Sequence, residues 1–75
     1  MYLHIGNNVI IKNTDIIGIF DLEALNHSFD LNNYNIINVS ENIEKSLVLT
    51  NNNKAYISNI SSVTLGKRVE NRIFE

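Results

Sequence analysis

Three of the six lysines and arginines in this chain, Lys67, Arg68 and Arg72, fall within six consecutive positions near its C-terminus. On a helix, Arg68 and Arg72 share one face, where unpaired like charges repel by roughly 0.2–0.5 kcal/mol. A phosphate group beside them would remove that repulsion and accept charge-assisted hydrogen bonds. The pattern is compatible with a phosphate-contacting surface, but a solvated basic end that complements the helix dipole is the commoner explanation of such a pattern.

The other lysines, Lys12, Lys45 and Lys54, are isolated in predicted strands or turns. Charged side chains in such places commonly protect the edges of sheets from unwanted pairing. Lys12 and Lys45 are nevertheless candidates for phosphate contact. That role would require them to converge with the basic helix across a subunit boundary.

Residue types that perform catalysis or bind metals are present but not in a useful arrangement. The two histidines, His4 and His27, have no metal-ligand spacing, and the chain contains no cysteine. The pair Ser61-Ser62 has no base in a defined relation to it and is better explained as a helix cap. We therefore expect no enzymatic activity, metal, cofactor or small-molecule substrate.

Size and charge favour a protein that associates with itself. A chain of 75 residues makes one domain, 1–75, and buries only about 60% of its unfolded surface. It has no disulfide to stabilise it, yet 44% of its residues are hydrophobic, so we expect some apolar surface to meet another subunit. The net charge of −2 argues against DNA or RNA binding by a lone subunit but permits a basic patch repeated around an oligomer.

The cytoplasm is the expected compartment. The N-terminus enters a strand pattern directly, without the features of a signal peptide. No apolar run approaches the roughly 18 residues that a membrane-spanning helix needs, so no membrane partner is expected.

Hydrophobic periodicity predicts a small α+β domain with the element order βββαβββα. Strands at 2–5 and 9–12, joined by Gly6-Asn7-Asn8, form a hairpin. After a turn at 13–15, the run 16–20 is predicted to be a central strand that completes an N-terminal three-stranded meander. Gly18 inside this run indicates a bulge or a close backbone approach.

A short middle helix is predicted after the meander. Asp21 can cap it, and Leu22, Leu25 and Phe29 recur at helical spacing. The pair beginning at Asn32 would end it, because asparagine favours turns.

The last part of the chain is predicted to add strands to a mainly antiparallel sheet and to end in a helix. Leu65, Val69 and Ile73 would form the buried face of this helix, with Ser61 or Ser62 as its N-cap. The predicted strands occupy 36–39, 46–50 and 55–58, and the predicted helix occupies 62–73.

Several spaced motifs resemble the bacterial extracellular matrix regulator family, specifically its RemB-like branch. The resemblance covers nearly the whole chain outside residues 22–44 and rests on blocks in the family's order. These blocks are M-Y-x-H-x-G at 1–6, I-[IV]-G-I-F-D at 16–21, K-S-x-V-x-T at 45–50 and Y-x-S-x-[IL]-S-S-x-T-L-x-K-R at 56–68.

The resemblance implies a small domain that assembles into a ring and regulates transcription of biofilm-matrix genes. The related RemA proteins bind DNA with basic residues repeated around the ring. Where they carry an arginine-rich stretch, this chain has Asn42-Ile43-Glu44-Lys45, with Lys45 the one basic residue. The resemblance to these proteins makes DNA the expected partner besides the chain itself. The missing arginine-rich stretch favours the alternative, an oligomeric protein-interaction module without DNA affinity.

Overall fold

A computed structural model describes residues 2–25 and 31–73, with side chains up to residue 69. The described residues form the predicted α+β class, with a 3-10 turn at Asn13–Asp15 between the second and third strands. The elements are β1 (Tyr2–Gly6), β2 (Val9–Lys12), β3 (Ile16–Asp21), β4 (Asn35–Asn38), β5 (Ser46–Thr50), β6 (Lys54–Ser58) and α1 (Ser62–Ile73).

Strands β1 and β2 form the predicted antiparallel hairpin. Asn7 and Asn8 adopt φ values of 49° and 62°, the left-handed conformation that asparagine tolerates better than most residues. Leu3 lies opposite Ile11, and both side chains are buried. One face of the hairpin therefore packs on the protein interior.

The other four strands form a second sheet in the order β3-β5-β6-β4. Strand β5 pairs antiparallel with β3 and β6, whereas β4 pairs parallel with β6. The hairpin turn between β5 and β6 lies at the cluster Asn51-Asn52-Asn53, where Asn53 has a φ of 63°. The sheet is mainly antiparallel, as expected.

The predicted three-stranded meander is wrong. Strand β3 does not pair with β2 but with β5, and it lies at an edge of the larger sheet, with Ile17 61% exposed. The 3-10 turn redirects the chain, and the Asp15 carbonyl accepts a hydrogen bond from the Asn51 amide at 2.8 Å. This bond ties the turn to the β5–β6 loop, so β3 starts beside β5.

Gly18 lies at a shift in the β3–β5 register, which confirms the predicted bulge. A Cβ atom at this position would lie 2.8 Å from the ring of Phe20. Glycine therefore allows the ring to fold back over its own strand.

Both faces of the larger sheet are covered, which explains why every residue of β5 is buried. Val48 packs on one side with the hairpin and α1, whereas Leu47 and Leu49 pack on the other. On the second side, the side chains of Leu22, Leu25, Leu31 and Tyr34 pack against the sheet.

The predicted middle helix does not form in the described residues. After β3 the chain makes a single turn, in which the amides of Ala24 and Leu25 donate to the Asp21 carbonyl. The Leu22 amide instead donates to the carbonyl of Lys45 at 3.0 Å, so the β3–β5 ladder continues where the helix was expected to start. Leu22 and Leu25 still face the core, and the predicted contact of Phe29 lies outside the described residues.

The C-terminal helix has the predicted bounds, Ser62–Ile73. Ser61 is its N-cap, because its hydroxyl oxygen accepts a hydrogen bond from the Thr64 amide at 3.2 Å. Leu65 is fully buried and Val69 packs against the same core. Among residues 2–25 and 31–73, no helix has the length and apolar character needed to cross a membrane.

Candidate nucleic-acid interface

Two buried serines hold the start of α1 and therefore position its basic residues. Ser46 and Ser58 lie opposite each other in the β5–β6 ladder, and both are fully buried. The Ser58 hydroxyl donates to the Ile5 carbonyl at 2.6 Å and accepts from the Ile60 amide at 3.0 Å. The Ser46 hydroxyl donates to the Ile60 carbonyl at 2.6 Å. The backbone of Ile60 is thus fixed on both sides immediately before the helix.

Helix α1 exposes Lys67 and Arg68 while its opposite side packs on the core. The Arg68 guanidinium Nη1 donates to the His4 carbonyl oxygen at 3.0 Å, joining the helix to β1. A guanidinium group has five N–H donors, so this bond leaves donors for a further acceptor. The pair Lys67-Arg68 therefore lies on the surface with one of its members oriented by the hairpin.

The third basic residue of the predicted helix site, Arg72, belongs to α1, but its side chain lies outside the described residues. Its predicted place on the same face as Arg68 stays a prediction.

Lys45 is exposed and lies directly before β5, near Asp21 at the end of β3. Its amide donates to the Ser58 carbonyl at 2.8 Å, and its own carbonyl accepts from Leu22. Sheet hydrogen bonds thus fix the backbone of Lys45, while its side chain extends from the sheet.

Lys12 is exposed at the end of β2, opposite Tyr2. It shares a cleft with Asp15 and Thr50. Because Lys45 precedes the first residue of β5 and Thr50 is its last, Lys12 and Lys45 lie toward opposite ends of that strand. One subunit therefore does not bring them together.

The outer face of the hairpin was not predicted as a functional surface. It carries the exposed side chains of Tyr2, His4, Ile10 and Lys12, in two cross-strand pairs. Alternation in β1, where Tyr2 and His4 alternate with the apolar Leu3 and Ile5, could have indicated it, since alternate strand residues share a face. The three consecutive apolar residues of β2 give no such signal. The contact with Arg68 joins residues 64 positions apart, which no local pattern indicates.

No group of three His, Cys, Asp or Glu residues within residues 2–25 and 31–69 could hold a metal ion. His27 lies outside the described residues. The side chains that the described surface exposes around α1 and the hairpin are cationic, aromatic and apolar.

Comparison with known proteins identifies a relative but no matching family model. Extracellular matrix regulatory protein B of Bacillus subtilis (strain 168) is 32% identical over 75 aligned positions, which cover 93% of this chain and 91% of the relative. The chain therefore belongs to the family of extracellular matrix regulatory protein B.

Proposed function

We propose that this protein is a non-enzymatic bacterial regulator of extracellular matrix genes that binds DNA as a ring-like homo-oligomer. The relative's name indicates regulation of the matrix, and the basic surface of α1 supports a nucleic-acid partner. The observation that carries the proposal is the exposed pair Lys67-Arg68 on a helix whose position is fixed by buried serines. Because the backbone that carries these cations is already ordered, contact with phosphate costs little further backbone freedom.

Oligomerisation is necessary to the proposal because the isolated chain is acidic, with a net charge of −2. Each phosphate contact is weak, but copies repeated by symmetry act together, since the first contact raises the local concentration of the others. In a closed head-to-tail assembly each subunit contributes one copy of the basic pair. Lys45 and Lys12 add to the site only where two subunits meet.

Replacement of Lys67 and Arg68 by alanine tests the phosphate contacts. We expect the double variant to bind duplex DNA more weakly at every sequence, because phosphate contacts carry no sequence information. The slope of log affinity against log salt should fall by about 1.8 for each engaged subunit, since one phosphate contributes about 0.9. Filter binding at several salt concentrations between about 50 and 200 mM measures both quantities.

Two variants serve as controls. Lys54→Ala removes one positive charge from the start of β6, away from α1, and should leave the slope unchanged. Arg68→Lys retains the charge and should preserve most of the slope that Arg68→Ala loses. Equal salt slopes for the wild type and the double variant would remove Lys67 and Arg68 from the DNA site.

An oligomeric protein-interaction module without DNA affinity is the second candidate. The acidic net charge favours it, as do the large hydrophobic side chains that the structure leaves exposed. Filter binding at low salt separates the two functions. Retention of duplex DNA by the intact oligomer supports the regulator, whereas no retention of any duplex supports the interaction module.

A further inference from the structure

Three hydroxyl side chains at the start of α1, those of Ser61, Ser62 and Thr64, have different surroundings. Ser61 and Ser62 are partly buried and line a shallow cleft that also contains three carboxylates. These carboxylates belong to Asp21, Glu23 and Glu44. Thr64 is exposed and does not line that cleft. A negatively charged group on Thr64 would therefore avoid the carboxylates that it would meet on either serine.

Thr64 shares one face of α1 with the basic pair. Lys67 and Arg68 follow Thr64 by three and four residues, and side chains at these spacings are neighbours on a helix, with about 5–6 Å between their Cβ atoms. At about 100° per residue, Lys67 lies about 60° to one side of Thr64 and Arg68 about 40° to the other. All three side chains are exposed. The two cations therefore flank the threonine, one helical turn beyond it.

No carboxylate of the described chain neutralises this pair. Within residues 2–25 and 31–69, Arg68 donates to the His4 carbonyl, and neither Arg68 nor Lys67 forms an ion pair. A carbonyl oxygen carries no net charge, so both positive charges lack a counter-charge there. An anion at position 64 would supply it, and an acidic group N-terminal to a basic one is the favoured order for such pairs on a helix.

We propose that Thr64 is a phosphorylation site whose phosphate covers Lys67 and Arg68. A phosphothreonine carries a charge of about −1.5 to −2 and three strong acceptor oxygens. Charge-assisted hydrogen bonds join it to the Lys67 ammonium group and to the Arg68 donors that the His4 carbonyl does not use. This inference rests on the proposed function, since it regulates the same basic pair: the phosphate occupies both cations and repels the DNA backbone.

The modification is a phosphoryl transfer from a nucleoside triphosphate bound to a protein kinase. Oγ1 of Thr64 attacks the γ-phosphorus, the bond from that phosphorus to the bridging oxygen breaks, and the nucleoside diphosphate leaves. A carboxylate base of the kinase accepts the hydroxyl proton. A phosphatase removes the group by attack of water on the phosphorus, which restores the hydroxyl and releases inorganic phosphate.

The first turn of α1 makes Thr64 accessible to such an enzyme. The Thr64 amide donates to the Ser61 hydroxyl at 3.2 Å, and the Thr64 hydroxyl accepts from the same group at 2.9 Å. Both bonds belong to the end of a helix, where helices fray. Leu65, which follows directly, is fully buried, so opening of the first turn need not disturb the packed part of the helix.

The modification itself is tested on the protein isolated, with phosphatase inhibitors, from the bacterium that makes it. The intact mass should reveal a fraction with one added phosphoryl group, and peptide fragmentation should locate that group on Thr64. A phosphate located on Ser61 or Ser62 instead would overturn the assignment. So would the absence of phosphate from Thr64 in both growing and stationary cells.

The contact with the basic pair is tested without DNA, on the full chain synthesised with phosphothreonine at position 64. Phosphorus NMR follows the second ionisation of the phosphate, which ordinarily has a pKa of about 6. Nearby cations favour the doubly charged form, so this pKa should be lower than in the same phosphorylated chain carrying Lys67→Ala and Arg68→Ala. Equal pKa values in the two chains would overturn the contact.

The same chain phosphorylated on Ser62 is the matched control. It carries the same added charge two residues away, but beside the carboxylates of the cleft. In filter binding, phosphate on Thr64 should lower the salt slope by about 1.8 for each engaged subunit, as the double alanine variant does. Phosphate on Ser62 should lower it by at most about 0.9, through Lys45 in the same cleft.

Equal losses of slope for the two phosphorylated chains would overturn the switch, because net charge alone would then explain both. Circular dichroism checks each fold, and a chain that unfolds when Thr64 is phosphorylated would also overturn it. If the unmodified oligomer retains no duplex, the proposed function fails and the regulatory role fails with it. The NMR titration still decides the contact in that case, so the two failures are distinguishable.

Discussion

Ser58→Ala is expected to be among the more damaging small substitutions in this protein. Its hydroxyl is fully buried and makes two hydrogen bonds, one to the Ile5 carbonyl and one from the Ile60 amide. These bonds connect three parts of the fold: the larger sheet, the hairpin and the approach to α1. Alanine removes both bonds and leaves the two backbone groups in the interior without this partner.

The size of the effect follows from the two bonds. Each contributes about 1 kcal/mol net, and loss of a partner in the interior adds to that cost, so the free energy of unfolding should fall by about 2–3 kcal/mol. The whole chain has roughly 4–11 kcal/mol available, at about 0.05–0.15 kcal/mol per residue. At about 4–8 °C per kcal/mol for a domain of this size, the melting temperature should fall by about 8–24 °C.

Thermal and urea unfolding followed by circular dichroism measure this loss. The protein concentration must be equal in all samples, because assembly makes the melting temperature depend on concentration. Ser40→Ala is the control: its hydroxyl also donates a hydrogen bond, to the side chain of Asn38, but in an exposed connection. A melting temperature for Ser58→Ala that matches the control would refute the reasoning.

Ser46 gives a second check on the same argument. Both serines hold the backbone of Ile60, so Ser46→Ala and Ser58→Ala should not be additive. A double-mutant cycle should give a coupling energy above about 0.5 kcal/mol. Strict additivity would mean that the two hydroxyls do not act on one structural unit.

Four further predictions concern the turns and helix α1. Gly6→Ala should cost about 1–3 kcal/mol, because φ is 112° and the new Cβ would lie 2.7 Å from Oδ1 of Asn59. Gly66→Ala in α1 should stabilise the protein by about 0.5–1 kcal/mol, because no atom lies within 4 Å of the added Cβ. Urea unfolding midpoints that shift in the same direction for Gly6→Ala and Gly66→Ala would contradict these two predictions. Ser61→Ala removes the helix cap and should cost about 1 kcal/mol in the same assay, and an unchanged midpoint would argue against the cap. Asn53→Ala should cost about 1–2 kcal/mol, because the φ of Asn53 is 63°, whereas Asn53→Gly should be tolerated. Equal melting temperatures for the alanine and glycine variants would count against a strained turn.

Local elements could be predicted from the sequence because their causes are local. The bounds of β2, β5 and α1 agree with the periodicity of apolar residues, and the turns occur at asparagines that accept positive φ. The bulge at Gly18 was also predictable, since glycine inside a strand commonly marks one.

The middle segment shows where local patterns were insufficient. Leu22 and Leu25 were expected to face the core from a helix, and they do reach the core, but from a single turn. Hydrophobic spacing predicted correctly that these two leucines pack against the core, where both are partly buried, because packing depends on the side chains. The backbone conformation depended on a distant partner, since the Leu22 amide bonds to Lys45 across the sheet.

The sequence by itself determined the fold class, the five basic candidates and the motifs that place the chain in its family. Only the tertiary structure decided that the hairpin forms a separate layer, that β3 is an edge strand, and that Lys12 and Lys45 lie apart. Strand pairing and side-chain convergence join residues that are distant along the chain. A period of two residues shows which side of a strand is buried, but it carries no information about which strand lies beside it.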